Sequence, residues 1–301
     1  MKIAVTGAFT YSGKYITRRL LDRGEEVIGL TNHPNRPDPF EGKVKKFPLD
    51  FSDPAGLTTH LGGADVLLNT YWVRFDKGIN TQPRAVENTR TLIHAAVAAG
   101  VKRIVHISIT NPSAESPLPY FWGKAANEKT VTESGLSFGI LRPTVLFGKE
   151  DILINNIAWL LRRFPLFGLP GDGSYKLSPV YVDDLAGLAV DAVYRKEDYV
   201  WDAVGPDEFT FKEMVELIGK TIGAPRPLIP FPPRLALLTA QFLSVFLRDV
   251  MLTPEEVKGL MANLLISEEP PRCKTSLREW LEQNKNMVGR TYASELSRHF
   301  Q

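Results

Sequence analysis

The stretch that decides the fold is IAVTGAFTYSG at residues 3–13. Its apolar, β-branched start predicts a buried strand, and Gly7 permits a sharp turn directly after it. Apolar residues at helical spacing over 15–21 predict a helix, and the run 26–30 predicts a second strand. Strand, glycine turn, helix and strand in this order form a βαβ unit.

The alternation of strand and helix continues outward through the first half of the chain. Further strands are predicted near residues 44–47, 66–68, 103–109 and 137–141, and helices near 54–61, 83–99 and 121–134. Repeated alternation of this kind is typical of a parallel sheet with helices on both faces. We therefore predict an α/β fold with a Rossmann-type doubly wound parallel sheet.

The second half of the chain has a different pattern. After about residue 150 the alternation loosens, and Pro and Gly cluster at 165–173 and 225–233. We expect a dinucleotide-binding domain at 1–150, its sheet completed by segments near 176–205, and a smaller, mainly helical lobe for a substrate or partner at 151–301. Three helix starts with capping-box spacing are Thr210 with Glu213, Thr253 with Glu256, and Ser276 with Glu279.

The glycine turn has the context of a dinucleotide-binding fingerprint, since it follows a strand and opens a helix. Gly13 permits close packing of the helix, and backbone N–H groups at the helix start can hold a pyrophosphate. Thr10 stands where the pattern T-G-x-x-G-x-x-G has its middle glycine, and its side chain either crowds the phosphates or bonds to them. The alternative is a turn without a ligand. The predicted cofactor-binding residues in the turn are Gly7, Phe9, Thr10, Tyr11 and Gly13.

The end of the second strand bears on the choice of cofactor. An acidic residue there favours the free ribose 2′-hydroxyl of NAD(H), but residues 30–33 read LTNH, with Asn32 at the usual position. Lys14 and Arg36 lie where they can meet a 2′-phosphate, or else they are solvated surface charges. We predict a preference for NADP(H) over NAD(H).

Several further motifs occur in a fixed order along the chain, and together they resemble the extended and atypical short-chain dehydrogenases, including the epimerase/dehydratase-like and NmrA-like proteins. The stretch FGKEDILIN at 147–155 is most similar to the nucleotide-binding accessory subunit of mitochondrial complex I and its bacterial relatives. That subgroup commonly binds the nucleotide without demonstrable turnover. The motifs are PLDF at 48–51, NTY at 69–71, Asn88, YFWGK at 120–124, RPTVLFG at 142–148 and VDD at 182–184.

The resemblance implies roles for individual residues. Asp50 corresponds to the acid that contacts the adenine. The segment of Arg142 and Pro143 corresponds to the one that lies along the nicotinamide. The alternative for this segment is a salt-bridged arginine before a proline that ends the strand. Asp183 and Asp184 are expected to be ordinary residues of a helix start. The remaining predicted cofactor contacts are Asn69, Thr70, Tyr71 and Lys124.

In active members of this group, a tyrosine exchanges a proton with the substrate, and a lysine holds the ribose and lowers the tyrosine pKa. Tyr120 and Lys124 have the spacing that puts both on one helix face. The third catalytic residue of such proteins is a serine or threonine near the end of the fifth strand. The residue that aligns with it here is Ile109. Ser108 and Thr110 flank this position but point to the other face of a regular strand, so Ser108 is the weaker catalytic candidate. Alternatively, Tyr120 only packs against the cleft wall and Lys124 only binds ribose.

Composition excludes several classes of function. Lys and Arg number 36 against 34 acidic residues, so a nucleic-acid partner is not expected. Cys273 is the only cysteine, and the five histidines lack ligand spacing, so neither a disulfide framework nor a metal site is expected. Because the chain starts directly with a strand, we expect no signal peptide and a cytoplasmic protein.

The most apolar stretch is 235–247, which is shorter than the roughly 20 residues of a transmembrane helix. Its broad apolar surface is expected to be covered by the lobe's own core, a protein partner, a lipid surface or an apolar substrate. Peripheral membrane association thus stays open. Two hypotheses follow: an NAD(P)-dependent oxidoreductase acting on a largely apolar carbonyl or hydroxyl compound, and a non-catalytic nucleotide-binding module that senses redox state or stabilises a larger complex.

Overall fold

The computed structural model describes residues 1–232, 249, 253–294 and 296. The chain divides into two compact units. Unit 1 comprises Met1–Pro143 and Val182–Ala203, and unit 2 comprises Thr144–Tyr181 and Val204–Gln301. The predicted apolar helix at 235–247 lies outside the described residues.

Unit 1 contains a seven-stranded, entirely parallel sheet with the order β11-β6-β5-β4-β1-β2-β3. This confirms the predicted doubly wound fold. The strands are β1 Lys2–Thr6, β2 Glu26–Thr31, β3 Lys45–Pro48, β4 Val66–Asn69, β5 Arg103–Ile107, β6 Ser137–Pro143 and β11 Tyr199–Ala203. The helices are α1 Tyr11–Asp22, α2 Pro54–Leu61, α3 Gln82–Ala98, α4 Pro119–Thr132 and α6 Val182–Tyr194.

The strand order reverses between β1 and β4. The chain runs outward from β1 through β2 to β3 and then returns to place β4 on the other side of β1. Ile3 is paired with Val27 on one side and with Val66 on the other. In open parallel sheets, ligands bind beyond the carboxyl ends of the strands at such a reversal. The fold therefore places a candidate site just after Thr6 and Asn69.

The sheet of unit 1 is covered on both faces. On one face, Leu57 of α2, Leu92 of α3 and Val131 of α4 belong to a buried apolar core that includes strand residues such as Ile104. Helices α1 and α6 pack together, and the guanidinium of Arg19 donates hydrogen bonds of 2.7 and 2.8 Å to the carboxylate of Asp183. Asp183, in the first turn of α6, thus forms an ion pair between two helices.

Unit 2 combines helices with three two-stranded sheets. Its core includes Phe147, Leu177, Phe209 and Trp280. The helices are α5 Leu153–Arg163, α7 Phe211–Thr221, α8 Pro254–Met261 and α9 Leu277–Asn284. The sheets pair β7 Leu146–Phe147 with β10 Val180–Tyr181, β8 Phe167–Pro170 with β13 Leu228–Phe231, and β9 Lys176–Leu177 with β12 Phe209–Thr210.

The three predicted helix starts are present in unit 2. Thr210 and Thr253 each form a reciprocal capping box with the glutamate three residues later, before α7 and α8. Ser276 caps α9 by accepting hydrogen bonds from the backbone N–H groups of Arg278 and Glu279. Local side-chain to backbone bonding therefore decides where these helices begin.

The predicted strand 103–109 is two residues longer than the observed β5, which ends at Ile107. The backbone nevertheless stays bonded to β6, because Ser108 N–H donates to Leu141 O at 2.8 Å and Thr110 N–H donates to Pro143 O at 3.0 Å.

No helix within the described ranges is both long and apolar enough to cross a membrane. Across these same ranges, no cluster of three His, Cys, Asp or Glu residues is arranged to hold a metal ion.

We predict that Gly13→Ala destabilises the protein by about 3 kcal/mol or more, because a Cβ atom there would lie 2.0 Å from the carbonyl oxygen of Gly7. Gly187→Ala in α6 is the matched control, since its Cβ would meet nothing closer than 3.8 Å. This control change should leave stability unchanged or raise it by about 1 kcal/mol. Urea denaturation measures both. Equal effects of the two substitutions would show that the close contact of α1 does not constrain the fold.

Candidate functional site

The glycine turn forms a tight cradle at the carboxyl end of β1. Gly7 has φ of 66°, and α1 approaches so closely that residue 13 has no room for a side chain. The Thr10 hydroxyl donates a 2.7 Å hydrogen bond to Gly7 O and does not cap α1. Its proton is therefore unavailable to a phosphate, and its side chain does not occupy the N–H groups at the start of α1. This cradle fits a pyrophosphate group.

The loop after β2 is held by a lysine that the sequence did not single out. Lys46 Nζ donates to the carbonyl oxygens of Pro34 and Arg36, each at 3.0 Å, and lies 4.6 Å from the ring centre of Phe9. Arg36 is half-buried, and burial holds the pKa of its guanidinium below its ordinary value. Asn32 is exposed. The positive charges of Lys46 and Arg36 thus belong to the region at the end of β2, where the 2′-phosphate of NADP(H) would bind.

Phe9 forms a wall of this region. Its ring lies 5.7 Å from that of Phe40, and a Cβ at Gly29 of β2 would come within 2.9 Å of it. The predicted adenine contact, Asp50, is exposed and accepts hydrogen bonds from the N–H and the hydroxyl of Ser52 at 2.9 and 2.6 Å. These bonds hold the pKa of the Asp50 carboxyl below its usual range. The carboxylate is therefore fixed as an acceptor.

A chain of buried polar side chains crosses the sheet beneath the site. The Thr6 hydroxyl accepts hydrogen bonds from Thr70 N–H and Tyr71 N–H at 2.8 and 3.1 Å, so its own proton is donated to Asn69 Oδ1 at 2.9 Å. Asn69 Oδ1 also accepts from Tyr71 N–H. The amide orientation follows, and Asn69 Nδ2 donates to His106 Nδ1 at 3.2 Å. The chain thus joins β1, β4 and β5.

This chain fixes the tautomer of His106. Because Nδ1 accepts a hydrogen bond, the proton of the neutral ring is on Nε2. His106 is fully buried, and desolvation together with the charge of Lys124 lowers its pKa to about 3. The imidazole is therefore neutral and serves as a structural link between β4 and β5.

The residues after β4 are also held within unit 1. Thr70 Oγ1 donates to Thr6 O at 2.6 Å. The Tyr71 hydroxyl accepts a 2.8 Å hydrogen bond from Asn88 Nδ2, and burial raises the pKa of that tyrosine. The predicted cofactor residues Asn69, Thr70 and Tyr71 thus shape the backbone at the strand reversal by bonding to protein partners.

Tyr120 and Lys124 are one turn apart near the start of α4, where Pro119 is the first residue. Lys124 Nζ lies 6.0 Å from the ring centre of Tyr120 and donates to Ile107 O at 2.9 Å. Lys124 is only 3% exposed. Burial lowers its pKa to about 7, against a smaller opposing effect of Glu128. The ammonium therefore lies beneath the surface, beside the tyrosine it is predicted to activate.

Trp72 covers the tyrosine and lysine. Its ring centre is 5.0 Å from Lys124 Nζ and 5.7 Å from the Tyr120 ring, which it meets edge-on. A Cβ at Gly123 would lie 2.4 Å from the indole, so the glycine between the two site residues makes room for the tryptophan. Sequence reasoning missed this contact. The signal that could have found it is the glycine inside the Y-x-x-x-K motif.

The third catalytic position is not filled by a hydroxyl. The backbone N–H groups of Ser108 and Thr110 donate to every second carbonyl of β6, so the extended backbone continues without a bulge. The side chains of Ser108 and Thr110 therefore lie on one face of the sheet, and that of Ile109 lies on the other. Ser108 and Thr110 are buried. Ser108 Oγ has no hydrogen-bond partner within the described chain, and neither do His106 Nε2 and both amide atoms of fully buried Asn127. Unpaired buried polar groups are rare, which makes Asn127 a candidate that the sequence missed.

Arg142 at the end of β6 forms a two-pronged ion pair with Glu128 of α4, with N···O distances of 2.9 and 2.6 Å. The salt-bridged alternative for Arg142 is therefore observed. The pair ties α4 to β6 one turn after Lys124. Pro143 is buried, and its carbonyl accepts from Thr110 N–H.

A doubly wound parallel sheet, a glycine cradle at the strand reversal and a tyrosine–lysine pair at the start of α4 together define a Rossmann-type protein that binds a nicotinamide dinucleotide. The comparison with known families agrees. Residues 7–155, just under half of the chain, match the family described as NAD(P)H-binding. The predicted cofactor class and the resemblance to short-chain dehydrogenase-like proteins are confirmed.

Relatives of this chain include an uncharacterized bacterial protein and a mitochondrial NADH dehydrogenase subunit. An uncharacterized protein of Mycobacterium tuberculosis is 30% identical over 236 residues, which cover 76% of this chain but 24% of that protein. The chain thus spans about a quarter of the length of this relative. The mitochondrial NADH dehydrogenase [ubiquinone] 1 alpha subcomplex subunit 9 of Arabidopsis thaliana is 26% identical over 313 residues, covering 87% of this chain and 76% of the subunit.

Among solved structures, the NADPH-dependent quinone oxidoreductase of Escherichia coli, complexed with NADPH, is similar with a TM-score of 0.73. The match covers 99% of this chain and 100% of the other, at 20% sequence identity. At this identity the likeness shows the fold.

We expect the stability difference between the protein and its Lys124→Met variant to depend on pH. A lysine in the unfolded chain has a pKa of about 10.4, whereas burial in the folded protein lowers the pKa of Lys124 to about 7. Between these values the unfolded chain binds more protons, so the natural protein should gain stability relative to the variant by about 1 kcal/mol per pH unit. Below pH 7, both states are protonated and the difference should be constant.

Urea denaturation between pH 6 and about pH 9 measures this difference. Lys129→Met removes an exposed lysine from the same helix and provides the baseline. A profile for Lys124→Met that is parallel to this baseline would contradict the buried position of the Lys124 ammonium.

Proposed function

We propose that the protein is an NAD(P)-dependent oxidoreductase that acts on a largely apolar carbonyl or hydroxyl compound. The observation that carries the proposal is the buried ammonium of Lys124, 6.0 Å from the ring centre of Tyr120. A positive charge at this distance favours the phenolate form of the tyrosine, which eases proton transfer at its hydroxyl. The bound dinucleotide supplies or accepts the hydride, and Tyr120 supplies or accepts the proton.

The dinucleotide would be held at three places. The cradle that Gly7 and Gly13 shape takes the pyrophosphate through backbone N–H groups at the start of α1, while the Gly7 N–H itself donates to Leu30 O at 3.1 Å. Asp50 lies at the adenine end, and Lys124 at the ribose of the nicotinamide. Arg36 supports NADP(H) as the preferred form, since a guanidinium matches a phosphate with paired hydrogen bonds, and Lys46 holds the loop that carries it through Arg36 O.

The aromatic side chains around the pair support an apolar substrate. Trp72 lies against Tyr120, the Tyr71 ring is 4.8 Å from that of Phe51, and Trp122 is 36% exposed. Flat apolar rings stack well on such surfaces. A quinone is the substrate class we favour, and the structurally similar Escherichia coli protein is named as a quinone oxidoreductase.

A second candidate function is a non-catalytic nucleotide-binding module. The observation that favours it is Ile109 at the position where active relatives have a hydroxyl, with the Ser108 side chain on the opposite face. Lys124 is also committed to Ile107 O under Trp72. A relative of this chain is named as a subunit of NADH dehydrogenase, which fits a role within a larger complex.

We predict that calorimetric titration detects binding of both NADPH and NADH, with NADPH tighter. Arg36→Ala should weaken NADPH binding about tenfold and leave NADH binding unchanged, because only NADPH carries the 2′-phosphate. Lys124→Ala should weaken both nucleotides about tenfold through loss of the ribose contact. Lys129→Ala is the control for removal of an exposed cation. No binding of either nucleotide at millimolar concentration would overturn the proposed site.

We predict that NADPH reduces an apolar quinone in the presence of the protein, and that Tyr120→Phe slows this turnover by about a hundredfold or more. Nucleotide affinity should be unchanged in the variant, since the proton donor is removed but not the cradle. Tyr194→Phe, which removes an exposed hydroxyl bonded to Glu25, is the matched control. Absorbance at the reduced nicotinamide band follows the reaction. Tight nucleotide binding without turnover of quinones or aldehydes would favour the non-catalytic module.

A further inference from the structure

A pocket of about 420 Å³ in unit 2 has an unusual lining. Four of its six lining residues are arginines, in a chain whose net charge is only +2. None of the four pairs with a carboxylate in the part of the chain that the structure describes. The lining residues are Arg162, Arg163, Gly223, Ala224, Arg226 and Arg290.

The arginines have a structural role that accounts for part of this charge. Arg162 donates to the carbonyl oxygens of Val288, Ile222 and Lys285, at the ends of α7 and α9. Carbonyl groups at the end of a helix carry a partial charge of about −0.5. The three helices α5, α7 and α9 end near the pocket, so their ends contribute a total partial charge of about −1.5. The four arginines contribute four positive charges. A surplus of positive charge remains.

The other three arginines keep donors for a ligand. Arg163, Arg226 and Arg290 each donate a single side-chain hydrogen bond, to the carbonyl oxygens of Arg290, Leu161 and Asn286, respectively. A guanidinium has five N–H donors, so most of theirs stay available. All three are exposed. Burial and the neighbouring charges of Arg290 and Arg163 also hold the pKa of Arg162 below its ordinary value. A bound anion would offset this repulsion between the positive charges.

Exposed apolar side chains flank the arginines. Phe164 follows Arg163 and is 37% exposed, and Leu166 is 47% exposed. Leu166 precedes Phe167, whose N–H donates to Pro227 O, directly after Arg226. Met287 is 40% exposed and lies in the turn that ends at Arg290 N–H. Basic side chains beside large apolar ones are the combination with which interfacial segments bind anionic membranes.

We propose that this face of unit 2 binds the headgroup of an anionic phospholipid at a membrane surface. The arginines hold the phosphate oxygens, since guanidinium groups match phosphate with paired hydrogen bonds. Phe164, Leu166 and Met287 enter the headgroup layer. All residues involved lie in unit 2, so the inference does not depend on the proposed redox activity. It gives a physical basis to the peripheral membrane association that the sequence left open.

The test is sedimentation of the full chain with vesicles of phosphatidylcholine alone and with phosphatidylglycerol mixed in. We expect binding only to the anionic vesicles. The double variant Arg226→Gln/Arg290→Gln should weaken it about 25-fold, or about fivefold per charge. Arg162 is left intact because it holds three carbonyl oxygens. The control Arg18→Gln/Lys129→Gln removes two exposed charges from unit 1 and should keep most of the binding.

A second variant, Phe164→Ser/Leu166→Ser, tests the apolar rim and should weaken vesicle binding without changing any charge. Thermal unfolding followed by circular dichroism checks that each variant is folded. Equal losses in the pocket and control variants would overturn the proposal, because the attraction would then be non-specific. Binding of inorganic pyrophosphate that Arg226→Gln/Arg290→Gln abolishes, without vesicle binding by the natural protein, would also overturn it, since the ligand of the pocket would then be a soluble phosphate compound.

Discussion

The contact on which unit 1 depends is the approach of α1 to the turn after β1. At residue 13 the helix lies so close to the Gly7 carbonyl that only glycine fits. This contact aims the first turn of α1 at the carboxyl ends of the strands, where the order of the sheet reverses. Thr10 tightens the turn from within through its bond to Gly7 O. The same constraint that fixes the helix therefore also builds the cradle in which we propose that the pyrophosphate binds.

A second constraint links this cradle to α4. The hydrogen-bonded chain from Thr6 through Asn69 to His106 crosses three neighbouring strands in the buried layer just below the site. His106 adjoins Ile107, whose carbonyl accepts from Lys124. Displacing any of these side chains would break a buried hydrogen bond and leave a further polar group without a partner. The glycine turn and the lysine are thus held in one framework, and Arg142 with Glu128 secures the next turn of α4.

Much of this arrangement could be predicted from the sequence, because it depends on local rules. Periodicity gave the strands and helices within a few residues, and the capping motifs at Thr210 and Thr253 gave two helix starts. Contacts between distant residues could not be predicted. Lys46 holds the loop at Arg36, and Trp72 covers Lys124, only because the folded sheet brings them together. The pocket with Arg226 and Arg290 joins two segments about sixty residues apart for the same reason.

The central claim is that the dinucleotide binds at the glycine turn and beside the tyrosine–lysine helix. Hydrogen–deuterium exchange with and without saturating NADPH tests it most directly. Backbone N–H groups that bind phosphate oxygens exchange slowly, so the account predicts slower exchange in residues 10–14 and at the start of α4. Unchanged exchange in both segments at saturating nucleotide, or protection confined to unit 2, would contradict it.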